Sequence, residues 1–348
     1  MACVKRFRFL RNPLATEIGA SVESFLDYLG GPASIFLEGQ DSSRTRAFVT
    51  LLHGNEPSGA MALFRWLKAG RQPAVNAVCI VASVEAALAT PGFSHRMSPG
   101  ARDLNRCFRP PFDDDQGRLA EEILEILRLH HPEAVVDMHN TSGTGPAFGV
   151  CTHMDRQHDA LVSLFTRRMI VTRLNLGALM EISEHSYPTV TVEVGGRLDD
   201  CAHELAWSGL CEYLQRPQVL AGDETDWGLE LLRDPIRLEL NPGIELAYAE
   251  RPDGSYPVVL RPDIEQLNFG VVQPDVPLGW VNGDLRSLFW AQDASGRCAV
   301  SRLLRVEEDR LFPAAPLKLF MITTNATIAR SDCLFYAIAQ GEVAAAIV

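Results

Sequence analysis

The sequence predicts an α/β domain with a mostly parallel, mixed sheet flanked by helices, followed by a second, smaller all-β domain, divided at residues 1–216 and 217–348. Three observations carry this. From Arg46 to about Gln215, short apolar runs alternate with stretches whose apolar residues recur at helical spacing, the pattern of strands connected through helices. Three of those runs end in His or Glu, and in an open sheet such side chains gather in the crevice beyond the carboxyl ends of the strands. After Gln215 the texture changes to Pro217, a polar DETDWG run and then short β-rich pieces, IRLEL, YPVVL, CAVSRLL and KLFMITT.

In chain order, a helical pattern from Ile18 to Leu29 is closed by Gly30 and Gly31, and a short strand follows at Ser34 to Leu37, placed on one edge of the sheet. Further strands are read at Ala47 to Leu52, Ala77 to Val84, Ala134 to Met138, Phe148 to Thr152 and Thr189 to Val194. Helices are read at Gly59 to Ala69, Gly117 to His130, Asp155 to Met169 and Cys201 to Leu214. Leu119, Ile123, Ile126, Leu127 and His130 follow helical spacing, so that helix buries one face.

At 348 residues the chain suits two domains, each with a sizeable core. Lys and Arg number 32 against 44 Asp and Glu, and the net charge of −12 argues against nucleic acid or an anionic membrane as partner. A local pocket of arginines can still hold an anionic substrate, because charges act within a Debye length of about 8–10 Å. Charges interrupt the apolar residues of MACVKRFRFL, which therefore lacks the core of a signal peptide. No window approaches about 18 consecutive apolar residues, so a soluble, cytoplasmic protein is expected. The eight cysteines, Cys3 among them, are scattered without a C-x-x-C pair and read as reduced, buried thiols.

The chemistry centres on LLHGNEPSGA, Leu51 to Ala60, where His53 and Glu56 form H-x-x-E on a glycine-containing corner straight after a buried strand. Zinc takes such nitrogen and oxygen donors at roughly 2.0–2.2 Å, with a third protein ligand and one open position. The run AVVDMHNTSG supplies His139, with Asp137 two residues before it on the same strand edge. A third run, TVTVEVGG, ends in Glu193, and Gly195 and Gly196 beside it let a substrate approach closely. Taken singly, His139 reads as a strand-end histidine bonded to a loop, and Glu193 as a salt bridge closing the sheet. Together they supply ligands and a base.

Together with RDLNRCF, Arg102 to Phe108, the motifs HGNEPSG, VVDMHN and VEVGG resemble the succinylglutamate desuccinylase/aspartoacylase family of zinc amidohydrolases, relatives of the zinc carboxypeptidases, in kind and in order. LNFGVV and LFPAAP extend the resemblance over most of the chain from about Arg46 onward. It implies a zinc-carboxypeptidase-like fold and one Zn2+ per chain on His53, Glu56 and His139, with Glu193 as general base. It also implies that Asn105 and Arg106 clamp the substrate's amino-acid carboxylate, a task that suits a planar guanidinium beside an amide donor. The family's transition-state arginine lies a little upstream of that clamp, where Arg96 and Arg102 both stand; Arg96, in the loop SHRMSPGARDLNR, is preferred. Asp103 is assigned to orienting the loop. His185 is close enough in sequence to Glu193 to line the pocket.

Departures bear on the substrate. Aspartoacylases carry an arginine some ten residues before the catalytic glutamate, whereas EISEHSYPT holds none, so the resemblance does not support N-acetylaspartate. The expected function is a zinc-dependent amidohydrolase that releases the acyl group of a small N-acyl amino acid by metal-activated water. Two alternatives stay open: a carboxypeptidase-like zinc peptidase using the same residues, and a non-catalytic small-molecule binding module. The late β-domain serves equally well as a cap, a homo-oligomer interface or a gate.

Overall fold

A computed structural model of the chain describes residues 7–220, 227–331 and 333–340. Met1 to Arg6, including Cys3 and most of the charged N-terminal stretch, and four residues of the DETDWG run lie outside them. The chain divides into two compact units. The first takes in the described residues through Asn140 and from Ala147 to Leu231; the second takes in Thr141–Pro146 and the described residues from Leu232 onward. These bounds differ from the 1–216 and 217–348 division, because a strand at residues 230–233 joins the large sheet.

The large sheet has nine strands: β1 Arg8–Arg11, β2 Ala33–Leu37, β3 Asp41–Thr50, β4 Val75–Val81, β5 Val135–Thr141, β6 Phe148–Cys151, β7 Arg168–Val171, β8 Thr189–Gly196 and β9 Glu230–Arg233. Their order across the sheet is β1-β2-β4-β3-β5-β8-β6-β7-β9. The sheet is mixed: β3 runs parallel to both β4 and β5, and β6 parallel to β7, whereas β2–β4 and β6–β8 are antiparallel. Strands β3, β5 and β8 therefore lie side by side at its centre.

Helices cover both faces. Side chains alternate along β3, so Phe48 enters one core while Ala47 and Val49 enter the other. On the first face, helices α1 (Val22–Leu29), α2 (Ser58–Lys68) and, later in the chain, α6 (Asp200–Gln215) bury Phe25, Trp66 and Leu210. On the other, α4 (Asp115–His130) packs Leu119, Ile123, Ile126 and Leu127 over Val78, Ile80 and Val135. Two-sided burial explains why β4, buried at every position, reads as a nearly continuous apolar run.

Arg46 on β3 is fully buried and is satisfied locally. Its Nη1 donates to the carbonyls of Tyr213 at 2.6 Å and Arg216 at 2.7 Å, its Nη2 to that of Pro217 at 3.0 Å, and its Nε to Glu133 Oε1 at 2.6 Å. The guanidinium thus caps the orphan carbonyls at the end of α6.

Several elements depart from expectation. The helix expected from Asp155 to Met169 ends early, as α5 Arg156–Ser163, because Arg168–Val171 is claimed by pairing with β6. The strand expected to reach Val84 stops at Val81, and Val84–Leu88 forms helix α3. The edge strands β1 and β9 were not anticipated; each is four residues long and carries exposed positions on both sides, leaving no apolar alternation.

The second unit holds two five-stranded sheets around its own core. Its strands include β10 Ile236–Leu240, which coincides with the IRLEL run. CAVSRLL departs from the strand reading: Val300–Leu303 is one turn of helix, burying Val300 and Leu303 at i, i+3, before a strand at Leu304–Glu307. The described cysteines are all free, but Cys201 and Cys298 are exposed rather than buried. Among the described residues no helix is long and apolar enough to cross a membrane.

Candidate metal centre

The carboxyl end of β3 turns sharply into the first candidate residues. Leu51 takes a left-handed backbone with φ of 53°, a costly conformation that turns the chain out of the strand just before His53. Helix α2 starts within a few residues and packs so closely that a Cβ on Gly59 would lie 2.1 Å from Thr50 Oγ1. Only glycine lets α2 begin there, and that placement fixes the His53–Glu56 turn against the sheet.

His53, Glu56 and His139 come together as read from the sequence. Their candidate ligand atoms lie within 4.8 Å of one another, and the residues are 4%, 5% and 2% exposed. Glu56 bridges the two imidazoles, with Oε1 2.8 Å from His53 Nδ1 and Oε2 2.7 Å from His139 Nδ1. The far side of each ring faces another carboxylate: His53 Nε2 lies 2.8 Å from Asp103 Oδ1, and His139 Nε2 lies 2.8 Å from Asp137 Oδ2.

This arrangement calls for a cation. A neutral imidazole carries one N–H and can satisfy one carboxylate. If Nε2–H is given to Asp103 or Asp137, the Nδ1 lone pair meets a Glu56 oxygen, and two lone pairs repel unless positive charge sits between them. A proton on each ring is one solution. Burial opposes it, yet Asp137 and Glu56 hold His139 well above the usual histidine range. Burial and Arg96 likewise oppose charge on His53, but Glu56 and Asp103 prevail and raise it. Burial disfavours a charged Glu56, but the two imidazoles hold it ionised, below the usual carboxylate range. A divalent ion held by Nδ1, Nδ1 and the Glu56 carboxylate is the other solution, and the outer carboxylates would then orient each ring as outer partners of metal-bound histidines do.

Glu193, three residues before the end of β8, is half-buried, and its Oε2 is shut off from solvent with no hydrogen-bond partner among the described residues. Burial pushes it up to about 7; Glu56 adds to the rise, while His139, His53 and Arg96 oppose it. A carboxyl poised there can hold or release a proton near neutrality.

The two candidate arginines separate clearly. Arg96 donates through Nη2 and Nε to Asp103 Oδ2 at 2.8 and 3.2 Å, and through Nη1 to Glu56 Oε1 at 3.4 Å. Arg102 turns outward into an exposed pair with Asp114. Asp103 does more than orient its loop. It accepts from the Asn105 N–H and from Arg96, and it faces His53, fifty residues away in sequence. Burial disfavours its charge, but His53, Arg96 and Arg106 hold its pKa far below the usual range. Asn105 is buried, its Oδ1 accepting from Leu179 N at 2.9 Å, which leaves the amide Nδ2 as a donor. Arg106 donates to the Asn105 carbonyl at 2.8 Å. His185 stands apart, with its side chain 85% exposed.

Sequence reasoning missed the parts played by Asp103 and Asp137. For Asp137 the signal was present, because residues i and i+2 of a strand share a face. For Asp103 nothing local pointed to His53.

Residues 45–206 match the family model described as the succinylglutamate desuccinylase/aspartoacylase catalytic domain. A search of curated proteins finds no match to the sequence. Solved structures are similar in fold. A succinylglutamate desuccinylase/aspartoacylase from Rhodobacter sphaeroides matches with a TM-score of 0.53 at 14% identity, over 84% of this chain and 83% of that one. A protein described as a putative succinylglutamate desuccinylase/aspartoacylase from Shewanella frigidimarina matches with a TM-score of 0.54 at 12% identity, over 88% and 92%. A mutant murine aminoacylase 3 matches with a TM-score of 0.52 at 16% identity, over 86% and 94%.

Proposed function

We propose that this chain, whose residues 45–206 match the succinylglutamate desuccinylase/aspartoacylase catalytic domain, is a zinc-dependent hydrolase of that family that cleaves the linear amide bond of a small N-acyl amino acid. The observation that carries this reading is the buried His53–Glu56–His139 set, each imidazole backed by a second carboxylate. Two nitrogen donors and one carboxylate suit zinc in a catalytic site with an open position. Bound there, zinc would lower the pKa of a water towards about 7 and polarise a carbonyl.

The chain's own residues supply the remainder. Glu193 takes the proton of the attacking water and passes it to the amine nitrogen as the carbon–nitrogen bond breaks, so a free acid and an amino acid leave. Burial raises the Glu193 pKa above the ordinary carboxylate value, the direction that brings a carboxyl's proton affinity closer to that of a base working at neutral pH. Arg96, held in place by Asp103, donates to the carbonyl oxygen as charge develops on it. Asn105, through its Nδ2, and Arg106 hold the α-carboxylate of the amino acid in a planar, charge-assisted clamp. The protein acts in the cytoplasm on a small molecule.

The test is metal content of the purified protein together with acid release from a panel of N-acetyl, N-succinyl and N-formyl amino acids. One zinc per chain, with turnover lost on chelation and restored by zinc, is expected. Cleavage of blocked dipeptides in preference to the panel would replace this reading with a peptidase, and absence of both metal and turnover would leave a binding module.

A further inference from the structure

We propose that Asn140 is a positioning residue that locks the metal-binding turn and the base-bearing strand into one unit. This rests on the hydrolase reading above. Asn140 follows His139 and is 2% exposed. Its Oδ1 accepts from Ser58 N at 3.0 Å, and its Nδ2 donates to Ser58 Oγ at 2.8 Å and to the Gly195 carbonyl at 2.9 Å.

Each bond falls on a different part of the site. Ser58 is two residues past Glu56 and is the first residue of α2, whose N-cap, Pro57, makes no side-chain cap bond. Asn140 Oδ1 takes that role from another strand, satisfying a backbone N–H left without a partner in the helix. Gly195 is two residues past Glu193, so the Nδ2 bond fixes the end of β8. Ser58 Oγ also lies 2.8 Å from His203 Nδ1 on α6. The amide can sit only one way round, because a backbone N–H requires its oxygen and a backbone carbonyl requires its nitrogen. A single buried side chain therefore ties together the turn carrying Glu56, the strand carrying His139 and the strand carrying Glu193.

The two halves of the amide can be tested separately. Asn140→Asp keeps an oxygen for Ser58 N and a second that can accept from Ser58 Oγ, but it cannot donate to Gly195. Asn140→Ala releases both sides. Zinc affinity by competition with a chromophoric chelator, the absorption spectrum of the cobalt-loaded protein, and kcat and KM on whichever N-acyl amino acid of the panel the wild type hydrolyses are measured for each variant. Circular dichroism establishes that each is folded.

Asn140→Asp is expected to bind zinc within about threefold of wild type while kcat falls by about tenfold or more and KM changes little. Asn140→Ala is expected to lose about 10–100-fold in zinc affinity as well, the usual cost of removing an outer partner of a metal site. If Asn140→Ala does not fold, Asn140→Asp decides. Folded variants with wild-type zinc affinity, cobalt spectrum and kcat overturn the proposal. A wild type that binds zinc but hydrolyses nothing sinks the hydrolase reading, and the zinc affinities and cobalt spectra then decide the positioning role.

Discussion

Asp137 Oδ2 lies 2.8 Å from His139 Nε2, two residues away on one buried strand. The contact aims the opposite nitrogen, Nδ1, at Glu56 and makes the ring a better donor to a cation. Replacing Asp137 with alanine leaves His139 free to choose its tautomer. Zinc affinity should fall about 10–100-fold, measured by chelator competition, with the circular dichroism spectrum retained. Unchanged affinity would mean that the ring is held by packing alone.

Glu193→Gln preserves shape and removes the base. Because Glu193 is not among the three ligands, zinc content should stay at one per chain while turnover drops by about 10²–10⁴-fold, the usual worth of a positioned acid–base group. Loss of zinc from this variant would instead make Glu193 a ligand.

Arg96 and Arg102 should part company on substitution. Arg96→Ala removes the cation that contacts Glu56 and Asp103, and kcat/KM should fall by about 10²–10³-fold. Arg102→Ala breaks an exposed pair with Asp114, so stability and kcat/KM should both stay close to wild type. The same steady-state assay serves both, and equal losses would contradict the assignment.

Glu265 gives the second unit a pH dependence of its own. Its carboxylate accepts from Thr324 N and Oγ1 at 2.6 and 2.7 Å, and from Thr144 N and Oγ1 at 3.1 and 3.2 Å. Burial pulls its pKa up, but the bonds from Thr324 and Thr144 win and lower it. A lowered carboxylate contributes stability that is present above its unfolded pKa, about 4.3, and lost as pH falls through the folded value. Glu265→Gln should therefore destabilise by about 1–2 kcal/mol at pH 7, and the gap to wild type should narrow in thermal melts as pH falls from about 4.3 through the lowered folded value. A gap independent of pH would assign the effect to packing.

What was legible in the sequence was whatever repeats at short range. Phe48 and Val49 alternate between two cores, and the helix carrying Leu119, Ile123 and Ile126 announces its buried face, so the central strands and α4 could be read directly. The meeting of His53, Glu56 and His139 was legible because His53 and His139 each close an apolar run and Glu56 follows His53 by three residues on the same turn. Strand β7 was not, because Arg168–Val171 continues a helical pattern and becomes a strand only through its pairing with β6. Nor was the Asp103–His53 contact, which joins two loops fifty residues apart. The exposed Cys201 and Cys298 were misjudged because cysteine composition speaks of redox state and says little of position.

Arg46 sets a condition on how the first unit is made. A ribosome emitting the chain exposes this guanidinium about 170 residues before the carbonyls of Tyr213, Arg216 and Pro217 that will receive it. Until α6 arrives, the centre of the sheet holds a charge with Glu133 as its remaining partner, which discourages early closure around β3. A fragment ended before residue 213 should stay open and bind chaperones or aggregate, even though it would contain every residue assigned to the reaction.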